Sequence, residues 1–221
     1  MEIRGRKIGP GQPCYIIAEA GSNHDGSLAK ALELIDAAAE AGADAVKFQL
    51  FQAKNLYPRQ NMVVETAGGR IDLYRFFEDH ELSLGWLDRL KARCQERSIH
   101  FLCTPFHPEA VEPLAEAGVD GLKIASPELN HFPLLAAAAR TGKGLFVSTG
   151  ISRLGDIEAA LEELEKHQAQ QIAILHCVTA YPAPAEDYNL AVMDTIRRAF
   201  GRPTGLSDHS LGTETPILAA Y

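Results

Sequence analysis

Short apolar stretches rich in β-branched residues alternate along the chain with longer amphipathic stretches. This alternation is typical of a parallel sheet whose strands are connected by helices, so the predicted fold class is α/β. The apolar stretches predict seven strands: Tyr15–Glu19, Ala45–Gln49, Ile99–Cys103, Gly121–Ala125, Gly144–Thr149, Ile172–Cys177 and Thr204–Ser207.

Four amphipathic stretches carry helix start and stop signals. SLAKALELIDAAAEAG begins at Ser27, a favourable N-cap, and stops at Gly42, while LGDIEAALEELEKH repeats apolar residues at helical spacing. PEAVEPLAEAG and FPLLAAAARTG each place a proline near the first turn and end at glycine. We predict that all four are crossover helices.

A polar insertion lies between Ala53 and Leu82, and it is too long for an ordinary connection between a strand and a helix. It is either a mobile segment of little consequence or a loop that covers a site. The insertion directly follows a strand, which favours a loop that covers a site.

Two predicted strands carry a lysine on an otherwise apolar background. Because a strand alternates faces, Lys47 and Gln49 lie opposite Val46 and Phe48, and the same alternation turns Lys123 inward. A buried lysine is costly unless it meets an anion or a carboxylate. We therefore expect either a bound anion or an internal salt bridge, the latter to Glu19 or Glu128.

Polar residues gather where the predicted strands end: Glu19, Ser126, Glu128, Ser148, Thr149, Ser207, Asp208 and His209. In eight-fold β/α barrels the active site lies at this end of the strands. The VSTGIS stretch lets backbone N–H groups near Gly150 approach a phosphate. His209 lies on the same strand face as Gly205 and Ser207. It is a candidate metal ligand or general base, or else a histidine that is merely hydrogen-bonded.

Composition and charge narrow the classes of protein to which this chain can belong. With 221 residues, 46% of them hydrophobic, the chain can bury one sizeable core, so one domain is expected and two small domains are the alternative. The net charge of -8 argues against a nucleic-acid or anionic-membrane surface.

The polar N-terminus and the lack of a membrane-length apolar run predict a cytoplasmic protein with no membrane partner. The four cysteines have no CxxC spacing and are expected to be buried, reduced thiols.

Seven ordered motifs resemble those of the sialic acid (N-acetylneuraminate) synthase family. They are IAEAGSNHDGS, DAVKFQ, FLCTPF, LKIAS, VSTGIS, HCVTAYPAPAEDYNL and GLSDHSLGTE, and they span nearly the whole chain from Ile16 onward. The family includes legionaminic and pseudaminic acid synthases and a spore-coat polysaccharide branch. The resemblance implies a (β/α)8 TIM-type barrel covering residues 1–221.

The resemblance also implies the roles of the site residues. It implies that phosphoenolpyruvate is bound by Lys47 and Lys123 with the hydroxyls of Ser126, Ser148 and Ser207, and that the acceptor sugar contacts Glu19, Gln49, Glu128 and Tyr181. Thr104, Thr149, Gly150, Thr179 and Asp208 complete the implied substrate-binding set. Glu19, Lys47, Lys123, Glu128 and His209 form the implied catalytic set.

The reaction implied by the resemblance is attack of the phosphoenolpyruvate methylene carbon on the aldehyde of an N-acyl amino sugar, with water added and phosphate lost. His209 corresponds to one of two histidines that hold a divalent metal, Mn²⁺ or Mg²⁺, which polarises the aldehyde. A family dimer lets one subunit's C-terminal domain reach over its partner's active site, so a homodimer is expected for the parent enzyme.

Three features depart from the family pattern. Pro127 stands where many members have glycine, and Thr179 stands where the neuraminic acid branch has asparagine. The sequence also stops at Tyr221, within the helix after the seventh strand. We therefore expect a barrel truncated after about seven strands, without the second metal histidine or the antifreeze-like C-terminal domain, and inactive or nearly so.

Two other functions remain open from the sequence. In a Schiff-base aldolase, Lys47 or Lys123 would attack the carbonyl of a 2-oxo acid. A non-catalytic carbohydrate- or phosphate-binding protein would use the same cations without turnover.

Overall fold

The computed structural model describes residues 1–59, 63–66 and 69–221. Within these ranges the strands are β1 (Glu2–Ile3), β2 (Arg6–Lys7), β3 (Ile17–Gly21), β4 (Ala45–Leu50), β5 (Val63–Thr66), β6 (Gly69–Asp72), β7 (His100–Pro105), β8 (Gly121–Ile124), β9 (Gly144–Ser148), β10 (Ile172–Cys177) and β11 (Thr204–Ser207). Strands β3, β4 and β7 to β11 correspond to the seven predicted strands, with end shifts of at most two residues.

The helices follow the strands along the chain. They are α1 (Leu28–Glu40), α2 (Ala53–Leu56), α3 (Leu73–Asp79), α4 (Leu87–Glu96), α5 (Val111–Glu116), α6 (Phe132–Arg140), α7 (Leu154–Lys166), α8 (Val192–Phe200) and α9 (Glu214–Ala220). Short 3-10 helices lie at Leu84–Trp86, Pro108–Ala110, Ser126–Glu128 and Ala185–Asp187.

Local signals explain the predicted helices. Ser27 caps α1 by accepting a hydrogen bond from the Lys30 N–H, and Gly42, just past its end, has a left-handed φ of 78°. Gly118 and Gly142 repeat this after α5 and α6, with φ of 71° and 67°. All four predicted crossover helices are present as α1, α5, α6 and α7.

One compact unit consists of Tyr15–Val119. Its strands β3, β4 and β7 are parallel, with β4 in the middle. Val46 and Phe48 are fully buried, and Lys47 on the opposite face is also almost fully buried. Burial on both faces is what parallel strands covered by helices require.

The polar insertion belongs to this unit and has regular structure, which the sequence did not reveal. Helix α2, the antiparallel pair β5–β6 and helix α3 lie within it. Phe77 of α3 packs its ring edge against Phe51 and stacks on Tyr57, with ring centroids 5.5 and 5.1 Å away. Residues 60–62 and 67–68 of the insertion lie outside the described residues. Its role as a cover stays a prediction.

The other compact unit combines Met1–Cys14 with Asp120–Tyr221. Strands β8, β9, β10 and β11 are parallel neighbours in that order. The short hairpin β1–β2, which the polar N-terminal sequence did not predict, is anchored in this unit: the Glu2 N–H donates to Gln171 Oε1 at 2.8 Å. The prediction of one domain over residues 1–221 stays a prediction.

Two further expectations concern thiols and membranes. All four cysteines are free, and Cys94, Cys103 and Cys177 are buried as expected. Cys14 is exposed, so the expectation of burial was wrong there, because residues 10–14 lie at the surface. None of the helices in the described part of the chain is long and apolar enough to cross a membrane.

Candidate active site

In the unit Tyr15–Val119, four of the predicted site residues lie together at one strand face. The strand register pairs Glu19 with Lys47 and Gln49 with Thr104. Lys47 Nζ donates to Thr104 Oγ1 at 3.0 Å and forms an ion pair with the Glu19 carboxylate. The internal salt bridge that the sequence left open is therefore present. Glu19 is 50% exposed, so the carboxylate partner reaches solvent while the ammonium is buried.

In the other unit, the register of the parallel strands sets Lys123, Ser148, Cys177 and Ser207 on one face. Lys123 is paired with Phe146, two residues before Ser148, and the pairings from β9 to β11 continue this face. Lys123 is 7% exposed and Ser148 is 1% exposed. Ser148 Oγ has no hydrogen-bond partner among the described residues, which is costly for a buried hydroxyl. The inward direction predicted for Lys123 is consistent with this register.

The loop after β9 uses most of its donors within the protein. The N–H and the Oγ1 of Thr149 both donate to the Leu175 carbonyl, at 3.0 and 3.1 Å, and the Gly150 N–H donates to Ser126 Oγ at 2.9 Å. A Cβ at Gly150 would overlap Thr179 Oγ1 and lie 2.9 Å from Ser126 Oγ. The position therefore requires glycine. Phosphate binding by the two N–H groups stays a prediction.

Glu128 ends the 3-10 helix that directly follows β8. Its Oε2 is buried without a hydrogen-bond partner in the described part of the chain. Burial raises the pKa of this carboxyl to about 7, against the opposing effects of its own backbone N–H and of Lys123. A carboxyl that titrates near neutral pH suits a general acid or base.

His209 is held by contacts to both ring nitrogens. Nδ1 lies 2.8 Å from the Val178 carbonyl oxygen, and because a carbonyl can only accept, Nδ1 carries the proton. In the neutral imidazole Nε2 then presents its lone pair, and this atom lies 3.1 Å from the Tyr181 hydroxyl. The two rings are also close, with centroids 4.1 Å apart.

Cys177 lies beside His209 and was not among the predicted site residues. Its Sγ is 3.9 Å from His209 Nδ1. Burial opposes ionisation of both groups, but their mutual contact outweighs it, together with Ser126 beside the thiol and the Val178 carbonyl beside the imidazole. The pKa of Cys177 is lowered and the pKa of His209 is raised. A cysteine inside an apolar strand carries no sequence signal for this contact.

Three further predicted residues of this unit are Asp208, Tyr181 and Thr179. Asp208 accepts from the N–H and the hydroxyl of Ser210, at 3.0 and 3.1 Å, which fixes the turn after β11. Tyr181 is largely exposed, and Thr179, also exposed, adjoins Gly150. Tyr188, a second residue that the sequence analysis missed, accepts a hydrogen bond from the His209 backbone.

His209 offers a single nitrogen donor, Nε2, to the divalent metal that the family resemblance implies. The Val178 carbonyl holds the ring in the tautomer that leaves Nε2 as the donor atom, as outer partners of metal-binding histidines commonly do. Ligation at Nε2 would replace the contact with the Tyr181 hydroxyl. Among the residues that the structure describes, no group of three or more His, Cys, Asp or Glu side chains is placed to hold a metal.

The chain is similar to curated proteins over nearly all of its length. It is 40% identical to the spore coat polysaccharide biosynthesis protein SpsE of Bacillus subtilis, covering 99% of this chain and 60% of the relative. It is also 40% identical to an N,N'-diacetyllegionaminic acid synthase of Campylobacter jejuni, covering 92% of this chain and 63% of the relative. The chain thus spans about three fifths of the length of these relatives.

A solved relative confirms the fold class. The N-acetylneuraminic acid (sialic acid) synthetase of Leptospira borgpetersenii superposes with a TM-score of 0.91 at 36% identity, covering 99% of this chain and 73% of that chain. The fold is α/β of the TIM-barrel type, as predicted. Residues 34–221 match the NeuB family. The chain therefore belongs to the NeuB family of sialic-acid-synthase-type proteins.

Proposed function

We propose that this protein condenses phosphoenolpyruvate with an N-acyl amino sugar resembling N-acetylmannosamine, and with water, to give a nonulosonic acid and phosphate. Relatives named legionaminic acid synthase and sialic acid synthetase support this class of product. The observation that carries the assignment of the donor substrate is the buried face that contains Lys123 and Ser148.

Lys123 and Ser148 suit an anionic ligand for separate reasons. Lys123 brings a positive charge into a chain whose net charge is -8, so an anion is attracted by this local cation rather than by the overall field. Ser148 Oγ is a buried hydroxyl that a ligand oxygen would satisfy. By family membership we assign Lys47 to the same ligand, which requires that its pairing with Glu19 be loosened or shared.

The acceptor sugar is assigned to the polar groups that remain. Glu19, Gln49, Glu128 and Tyr181 are proposed to contact its hydroxyls, as the family resemblance implies. A cleft of about 300 Å³ adjoins His209 and is lined partly by Pro182, Ala183 and Leu211. Apolar walls of this kind suit the methyl of an N-acyl group.

The chemistry forms one C–C bond and one C–O bond, the latter from water, and breaks the C–O bond that joins the enol carbon to phosphate. The methylene carbon of phosphoenolpyruvate bonds to the aldehyde carbon, and the aldehyde oxygen takes up a proton. Water adds to the resulting cationic carbon and releases a proton, and loss of phosphate then leaves the 2-oxo acid. Glu128, with a pKa of about 7, is proposed to exchange one of these protons. Lys123 and the serines orient the enol face, where positioning contributes most.

The cofactor and the assembly are also part of the proposal. We assign His209 as a ligand of Mn²⁺ or Mg²⁺, and such an ion, when bound, polarises the aldehyde as a Lewis acid. A homodimer and a cytoplasmic location are proposed for the whole protein. The first follows from the family resemblance and the second from the biosynthetic roles that the names of its relatives state.

The test is calorimetric titration of Lys123→Met and Lys47→Met with phosphoenolpyruvate and, separately, with N-acetylmannosamine. Methionine keeps most of the buried volume and removes the charge. A charged hydrogen bond contributes about 1.5–3 kcal/mol, so we expect phosphoenolpyruvate affinity to fall by about 10- to 100-fold. Sugar affinity should stay unchanged.

Lys7→Met serves as the control, because Lys7 is an exposed lysine on the N-terminal hairpin. It should leave both affinities unchanged. Equal losses for both ligands in the Lys123 variant would contradict the donor assignment. Trapping of pyruvate on either lysine by borohydride would favour the Schiff-base aldolase instead.

A further inference from the structure

Tyr188 is a fully buried aromatic residue in an otherwise polar stretch of sequence. It follows the 3-10 helix Ala185–Asp187 and is only 1% exposed. Its hydroxyl oxygen accepts a hydrogen bond from the backbone N–H of His209 at 2.6 Å. The loop after β10 therefore sends a side chain to the backbone of the candidate metal ligand.

The same loop also contacts the His209 carbonyl oxygen and Nδ1, in addition to the Tyr181 contact at Nε2. The Ala183 N–H donates to the His209 carbonyl oxygen at 2.9 Å, and the Val178 carbonyl accepts from His209 Nδ1 at 2.8 Å. Together with Tyr188 these contacts fix the N–H, the C=O and the imidazole of one residue. Of these contacts to the His209 backbone, the Tyr188 contact alone comes from a side chain, so a point substitution can remove it.

Tyr188 is itself held by contacts to its backbone and to its side chain. Its backbone carbonyl accepts a hydrogen bond from His176 Nε2 on β10, and the edge of one ring faces the other at a centroid distance of 6.4 Å. Burial and the nearby Asp208 carboxylate raise the pKa of the Tyr188 hydroxyl, so its proton is firmly held. Since the hydroxyl accepts from the residue 209 N–H and lies near the Asp208 side chain, it holds the backbone of the turn after β11.

We propose that Tyr188 is a positioning residue that aims the His209 imidazole, acting through the His209 backbone rather than through contact with substrate. The catalytic consequence rests on the proposed function, whereas the geometric consequence does not. Loss of the hydroxyl leaves the His209 N–H without its partner and frees the turn to move. The Nε2 lone pair then loses its fixed direction.

The experiment compares Tyr188→Phe with Tyr15→Phe in this chain. Phenylalanine retains the buried ring and removes only the oxygen. Tyr15→Phe is the matched control, because it also removes a tyrosine hydroxyl that is bonded to a histidine, His100 Nδ1, at 2.7 Å. The readouts are the amide and imidazole NMR resonances of His209 and calorimetric titration with Mn²⁺.

We expect Tyr188→Phe to shift the His209 resonances and to weaken Mn²⁺ binding by about tenfold, the lower end of what outer-partner substitutions cost. Tyr15→Phe should change neither, even if it lowers the melting temperature equally. His209→Ala defines the Mn²⁺ signal that belongs to this residue. Unchanged His209 resonances in a folded Tyr188→Phe variant would overturn the proposal.

A separate result would show failure of the proposed function. If the His209 resonances of the unsubstituted chain do not respond to Mn²⁺, the metal role of His209 is wrong. A shift of these resonances in Tyr188→Phe but not in Tyr15→Phe would still support positioning by Tyr188.

Discussion

Glu128 lies at the end of a 3-10 helix, where burial raises its pKa to about 7. A raised pKa means that the folded chain holds the proton more tightly than the unfolded chain does. The stabilising contribution is therefore present below the ordinary pKa of a glutamate and is lost as the pH rises through about 7. Deprotonation leaves a buried charge whose Oε2 has no hydrogen-bond partner in the described part of the chain.

We predict that Glu128→Gln becomes more stable than the unsubstituted protein as the pH rises. Each unit of pKa difference corresponds to about 1.4 kcal/mol, so we expect a gain of roughly 1–3 kcal/mol between about pH 5 and about pH 8. Melting temperatures across this range provide the measurement. Glu162→Gln, at an exposed position of α7, is the control and should follow the unsubstituted curve. Parallel curves for all three proteins would refute the prediction.

The N-terminal hairpin β1–β2 packs closely against a strand of its own unit. It lies against the first residue of β9, where a Cβ at Gly144 would lie 2.9 Å from Met1 Cε and 3.1 Å from Ile3 Cγ1. Ile3 is 3% exposed, so it has little room to move. Glycine is needed at this position because of the close approach of the hairpin.

Gly144→Val should therefore destabilise the protein, although valine favours strands. Overpacking typically costs about 1–3 kcal/mol, and each kcal/mol lowers the melting temperature by about 2–4 °C in a chain of this size. Ile3→Ala in the same chain should recover part of the loss, because it makes space for the new methyl groups. Gly155→Val is the control, since nothing lies within 4 Å of its Cβ position. An equal cost of Gly144→Val with and without Ile3→Ala would exclude the hairpin as the cause.

On the scale of the whole molecule, the chain connectivity argues for one folding domain. Met1–Cys14 and Asp120–Tyr221 form one compact unit, and the residues between them form the other. One unit therefore cannot be completed until the other has been synthesised. We predict a single cooperative unfolding transition for the 221-residue chain.

The single tryptophan makes this prediction testable. Trp86 belongs to the unit Tyr15–Val119, so its fluorescence reports on that unit, whereas far-ultraviolet circular dichroism reports on the helices of both. The two denaturation curves should coincide, and Gly144→Val in the other unit should shift the Trp86 transition equally. A Trp86 transition that ignores Gly144→Val would show two independent domains.

The sequence by itself determined the seven parallel strands β3, β4 and β7 to β11, the four crossover helices and the faces of Lys47 and Lys123. These features depend on local periodicity, on caps such as Ser27 and on glycines that end helices, all of which are readable within a short window. The family also followed from the sequence, because its motifs are short and ordered. The sequence did not reveal the N-terminal hairpin or the helices of the insertion, whose polar residues carry little periodicity.

Only the tertiary structure decided which partner each polar group has. Lys47 meets Glu19, the Thr149 hydroxyl bonds to the Leu175 carbonyl, and the His209 N–H bonds to Tyr188, although 21 residues separate the last two in sequence. Such contacts join different strands and loops, and their geometry depends on strand register and burial. The raised pKa of Glu128 has the same origin, because burial is a property of the packed chain and not of the residue.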